Sequence, residues 1–151
     1  MTEYSFADVL RLTRATRSQL IWWTNKRIIV PGVEDTRGPG HHRRFSFRNL
    51  FEIAIATELV DWKIPNERIG RIVEQVSLNT LGDADTKRLK LKGHNAADLV
   101  LYIEHDGVML TIDGTVSNVR KMLGRSRRRA GVLIQVGALL KELERETGDS
   151  L

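Results

Sequence analysis

The stretch that decides the fold is Thr13 to Pro31, TRATRSQLIWWTNKRIIVP. Thr16 stands three residues before Gln19. That spacing is a capping box, in which the Thr hydroxyl takes one end amide and the Gln side chain returns to the Thr N–H. A helix is therefore predicted from Thr16 to about Arg27, stopped by Pro31 and Gly32. With Leu20 and Trp23 turned inward, the helical period puts Arg17, Ser18, Ile21, Trp22 and Asn25 on the opposite side. Upstream, residues 6–12 carry Phe6, Val9 and Leu10 on one face, with Ser5 as N-cap and Asp8 three residues later. A short polar break at 13–15 separates the two helices.

Downstream, Gly32, Asp35, Gly38, Pro39 and Gly40 make an exposed, turn-rich loop. His41, His42, Arg43, Arg44 and Phe45 follow, and Ser46 caps a third helix with Leu50, Ile53, Ala54, Thr57 and Val60 on its apolar face. Pro65 suits the first turn of a fourth helix, 65–76, striped by Ile69, Ile72, Val73 and Val76. Helix, tight break, capped helix, Gly/Pro-rich basic loop and third helix is the order of a winged helix-turn-helix. In such a fold the second helix buries one side and offers the other to a DNA groove. Arg17, Ser18 and Asn25 suit base edges and phosphates, and an exposed Ile21 suits a thymine methyl. Thr16, Gln19 and the free amides at the capped end suit a phosphate, and Lys26, near the other end of the helix, joins the candidate DNA-binding set. The loop brings Arg37, His41, His42, Arg43 and Arg44, with Phe45, to the flanking backbone, where each cation displaces a counterion.

These residues resemble the MerR family. Trp22-Trp23 stands where that family carries an adjacent aromatic pair, and Ile28-Ile29 with Pro31 matches its apolar pair leading into a proline. Arg43-Arg44-Phe45-Ser46 and Asn49-Leu50 match the closing stretch of its wing. The resemblance covers about the first half of the chain. It departs at Ile21, where the family usually has Arg, at the two tryptophans, where tyrosine is usual, and in a longer wing. What it implies is a homodimeric transcriptional regulator that binds pseudo-palindromic double-stranded DNA. Two alternatives stand beside it: an excisionase-like architectural factor that bends DNA, and an antitoxin- or adaptor-type interaction module.

The second half does not resemble an effector domain of that family. Residues 78–98 are expected to be a linker between a DNA-binding domain, 1–77, and an oligomerisation or partner-binding region, 99–151. Runs at 99–104 and 108–113, joined through His105-Asp106-Gly107, predict a β-hairpin whose first strand is apolar on both faces. A helical segment at 116–123 precedes a basic run, Arg125 and Arg127 to Arg129, read as a solvated face. A last helix is predicted at 130–146, where Leu133, Val136, Leu140 and Leu143 form a candidate dimer seam or a core-facing stripe. The fold class expected is mainly α with a small β component.

Composition narrows the function. The 24 Lys and Arg against 19 Asp and Glu give a net charge of +5, which favours a polyanionic partner. With no cysteine, thiolate metal sites, iron–sulfur clusters and a Cys nucleophile are excluded. His41-His42 reads as a phosphate-facing turn and His105-Asp106 as turn chemistry, so no metal and no cofactor is expected. There is no carboxylate pair, nucleophile triad or phosphate-cradling loop, and the chain is not read as an enzyme. The opening Met1-Thr2-Glu3-Tyr4 lacks the pattern of a signal peptide, and the apolar runs are short of the roughly 18 residues of a membrane span. A cytoplasmic location is the expectation.

Overall fold

The structure is a computed structural model that describes residues 2–33, 42–81, 100–104, 108–111, 120–121, 123–124 and 131–149. It is mainly helical with a small antiparallel sheet. The helices are α1 (Phe6–Thr13), α2 (Arg17–Asn25), α3 (Phe47–Asp61), α4 (Asn66–Leu81) and α5 (Val136–Thr147), and the strands are β1 (Val100–Ile103), β2 (Val108–Thr111) and β3 (Val132–Ile134).

Reciprocal capping boxes start the first three helices: Ser5 with Asp8, Thr16 with Gln19, and Ser46 with Asn49. The Ser5 bonds hold the Asp8 carboxyl below its ordinary value. The C-termini use a less obvious device. Arg14, Arg27 and Lys63 all have positive φ, near 58°, 56° and 58°. After α2, Ile28 N–H returns to Trp23 O and Arg27 N–H to Thr24 O; after α3, Ile64 N–H returns to Leu59 O and Lys63 N–H to Val60 O. Both are Schellman closures with a cation where glycine is usual, and the cation favourably faces the negative end of the helix dipole. This is why α2 stops at Asn25 and not near Arg27.

The central element is α3, buried on nearly all sides, with Leu50, Phe51, Ile53, Ile55, Ala56 and Leu59 fully or almost fully covered. It contacts α1, α4 and α5. Its apolar positions extend well beyond the single face that the period predicted, because it has neighbours on several sides. Helix α4 begins one residue after Pro65 and continues to Leu81, past the predicted end at 76.

The hairpin is present, with β1 and β2 antiparallel and Ile103 opposite Val108. It is joined by β3, which the sequence reading had placed inside the last helix; the order is β2-β1-β3, and Leu101, Tyr102 and Ile103 stand opposite Ile134, Leu133 and Val132. As the central strand, β1 is buried at all four residues, which explains its two apolar faces. Gly131 permits the close approach of β3, since a Cβ there would lie 2.5 Å from the Tyr102 ring.

Two expectations about the second half are corrected. The last helix starts at Val136, and Val136, Leu140 and Leu143 are 0%, 1% and 3% exposed, in the same core cluster as Leu20, Trp23 and α3. Their three-and-four spacing is that of a core-facing stripe, and they are not a free dimer seam. Leu133 is exposed, but on β3 and off the helix. The core is also continuous between the halves, because Leu101, Ile103 and Ile134 join the same cluster. Residues 34–41, 82–99, 105–107, 112–119 and 125–130 lie outside the described residues, and with them the predicted wing tip, linker, hairpin turn and basic run. Among the described residues, no helix is long and apolar enough to cross a membrane.

Candidate nucleic-acid interface

Helix α2 has two distinct sides. Leu20, Trp23 and Thr24 are 0%, 1% and 2% exposed, whereas Thr16, Arg17, Ser18, Asn25 and Lys26 are exposed, as are Ile21 and Trp22 to a little over a third. The predicted outward set thus shares one face, and Leu20 and Trp23 anchor the helix beneath it. Gln19 is half-buried. Its Oε1 accepts from Thr16 N–H at 2.8 Å and its own N–H donates to the Thr16 hydroxyl at 3.2 Å, so both side chains hold the cap. The backbone N–H groups of Arg17 and Ser18 are left at the positive end of the helix dipole. The Arg17 guanidinium lies 5.5 Å from the centre of the Phe6 ring, a cation–π contact that steadies it against α1.

Residues 42–44, which precede the cap of α3, meet the far end of α2. His42 is exposed, and Arg43 and Arg44 are half-buried. Arg43 Nη1 donates to Thr24 Oγ1 at 2.5 Å and Nη2 to Asn25 Oδ1 at 2.8 Å. Arg43 therefore grips the helix, where the sequence reading had it lying on a phosphate. Phe45 is a correction: it is fully buried, and its backbone makes an antiparallel bridge with Tyr4, N–H to O at 3.0 and 2.9 Å. An aromatic ring on a paired, inward position belongs to the core and is not available to DNA. Arg37 and His41 lie outside the described residues.

Two positions act as anchors that the sequence does not mark as such. Thr24 is buried, with its hydroxyl on Leu20 O at 2.8 Å, and it serves as the anchor for Arg43. Asn49 holds the segment that leaves α2 against the cap of α3: its Oδ1 accepts from Gly32 N–H at 2.7 Å and Ser46 N–H at 3.1 Å, and its Nδ2 donates to Val30 O and Glu52 Oε2, each at 3.0 Å. Glu52 in turn accepts from Arg48 and from Ser77 of α4. Among the described residues, no group of three His, Cys, Asp or Glu side chains is placed to hold a metal ion. No protein-family model matches the chain, and none of the curated proteins is similar to it.

Proposed function

We propose that the chain is a sequence-specific DNA-binding protein whose first half is a MerR-like winged helix-turn-helix, working in the cytoplasm as a homodimeric transcriptional regulator on pseudo-palindromic double-stranded DNA. The observation that carries this reading is the outward face of α2: Arg17, Ser18, Ile21, Trp22 and Asn25 are exposed together on a helix whose opposite side is locked into the core. Lys26 and Arg27 lie at one end of that face, with Arg43 bonded to Asn25 there, so cations border the groups that suit base edges. The strand that is apolar on both faces, β1, is buried within the chain itself, which weighs against an adaptor role for that strand. Twofold symmetry in the target matches a twofold protein.

The test is selection of bound duplexes from random DNA by the full chain, with affinity measured over a range of salt. The expected result is an enriched inverted repeat and a log–log salt slope of about −0.9 per phosphate contacted. Failure to retain any duplex at low salt overturns the reading, and a direct repeat in place of a palindrome favours the architectural factor.

A further inference from the structure

The orientation of one side chain on the outward face is dictated by chemistry. Arg43 presents its Nη2 to Asn25 at 2.8 Å, and a guanidinium has N–H donors and no acceptor, so the atom facing it is the Asn25 oxygen. The other arm of the fork, Nη1, is held by Thr24 Oγ1, whose residue is 2% exposed and whose hydroxyl is bonded to the α2 backbone. The fork is thus fixed to a buried anchor, and the amide cannot turn over without losing it. Asn25 is an exposed residue, and among the described residues its Nδ2 donates no hydrogen bond.

An asparagine that presents both atoms reads adenine, accepting from N6 and donating to N7. Here the oxygen is turned to Arg43 and the group presented outward is a donor. We infer that Asn25 acts toward DNA as a hydrogen-bond donor to an acceptor, either a phosphate oxygen or an acceptor edge of guanine or thymine, and not as an adenine reader. Arg43 is the positioning residue that sets this orientation. The inference rests on the DNA-binding reading above. It predicts a division of labour along α2, in which Arg17, Ser18 and Ile21 sample bases at the capped end while Asn25, beside Lys26 and Arg27, addresses an electron-rich atom.

The decisive variant is Asn25→Asp in the full chain. It keeps an oxygen for Arg43, now as an ion pair, and replaces the outward donor by a second oxygen. The expected result is an unchanged or raised Tm with at least about tenfold weaker binding to the best selected duplex. In an Arg43→Ala background the amide is released, and the same Asn25→Asp change weakens binding by a smaller factor; a purely structural role for Arg43 leaves the factor as it was. Asn25→Ala separates the two sources of the acceptor: a uniform loss over all duplexes means phosphate, and relaxed preference at one base pair means a base edge. Binding by Asn25→Asp as tight as the parent overturns the inference and leaves the DNA-binding reading standing. Binding that falls when an adenine of the selected site is replaced by purine, which lacks the N6 amino group, with the effect lost in Asn25→Ala, overturns it as well. Failure of the parent chain to bind any duplex overturns both.

Discussion

Replacing Asn49 tests how the segment that leaves α2 is fixed to α3. Asn49 is 3% exposed and its carboxamide joins the exit from α2, the cap of α3 and Glu52 through contacts of 2.7 to 3.1 Å. Asn49→Ala removes these four bonds and the 3.2 Å bond from the Ser46 hydroxyl. At a net worth of about 0.5–1.5 kcal/mol each, with water recovering part of what Val30 O and Gly32 N–H lose at their exposed positions, the loss comes to about 2–3 kcal/mol. For a chain of this size that lowers Tm by roughly 5–10 °C. Asn49→Asp is the sharper probe. It retains the oxygen that faces Gly32 and Ser46, but it loses the donor and sets a second carboxylate against Glu52 Oε2, 3.0 Å from the present nitrogen.

Burial and the neighbouring negative charge raise the pKa of that new carboxyl in the folded state above its unfolded value. Its penalty is therefore complete above the folded pKa and vanishes as the pH falls below the unfolded value, about 4. Urea unfolding followed by tryptophan fluorescence at several pH values gives both numbers. The expected outcome is a stability difference from the parent that shrinks on acidification for Asn49→Asp and stays level for Asn49→Ala. A loss below about 0.5 kcal/mol for the alanine variant, or the same pH profile for both, refutes the account of Asn49 as a buried polar node.

Trp22 and Trp23 are adjacent in sequence and opposite in environment. Trp23→Ala should cost about 3–5 kcal/mol, whereas Trp22→Ala should alter stability by less than about 1 kcal/mol and weaken DNA binding; equal destabilisation of the two by urea titration counts against the assigned face. The Tyr4 phenol, which donates to Asp149, is pushed up to about 12 by burial and by that bond. An acid whose folded pKa is raised makes the fold lose stability as pH climbs from its unfolded value, about 10, toward the folded one. Tyr4→Phe should thus flatten the alkaline limb of the urea midpoint, and an identical limb in parent and variant overturns the assignment. Truncation after residue 81 uncovers the face of α3 that Val136, Leu140 and Leu143 bury, at about 1.5–3 kcal/mol for each side chain. Since a domain's net stability is about 5–15 kcal/mol, the fragment should show no cooperative thermal transition by circular dichroism. A sharp transition shows instead that the first half folds alone.

What could be read in advance was local. Ser5 with Asp8, Thr16 with Gln19, and Ser46 three residues before Asn49 announce helix starts because a cap involves residues a few positions apart. The division of α2 into two faces follows from its period for the same reason. The ends of α2 and α3 were not legible: Arg27 and Lys63 take the left-handed conformation without the glycine that would have marked it. Strand β3 is three residues long and exists through pairing with β1, some thirty positions earlier, so Val132-Leu133-Ile134 reads locally as the start of the helix that follows. Thr24 and Asn49 were invisible as anchors because their partners, Arg43 and Gly32, are brought to them only by the folded chain.

The outward face of α2 is held in place by elements that do not belong to it. Asn49 ties α3 to Val30 and Gly32, and Arg43 ties the segment before α3 to Thr24 and Asn25. Between Arg43 and α3, the backbone of Phe45 pairs with Tyr4, whose hydroxyl reaches Asp149 just beyond the end of α5. Arg14, in the break before α2, pairs with Glu142 of α5 at 3.3 Å. That last pair is exposed and worth little by itself. The anchors act together, however, and they come from the N-terminus, α3 and the C-terminal helix at once. A surface fixed from several directions has less freedom to lose on meeting a rigid partner, so more of its contact energy appears as affinity. The second half of the chain therefore acts on the candidate interface through geometry. A change at Asp149 or Glu142 is felt at α2 through the position of the helix, with no contribution to the chemistry of its outward side chains.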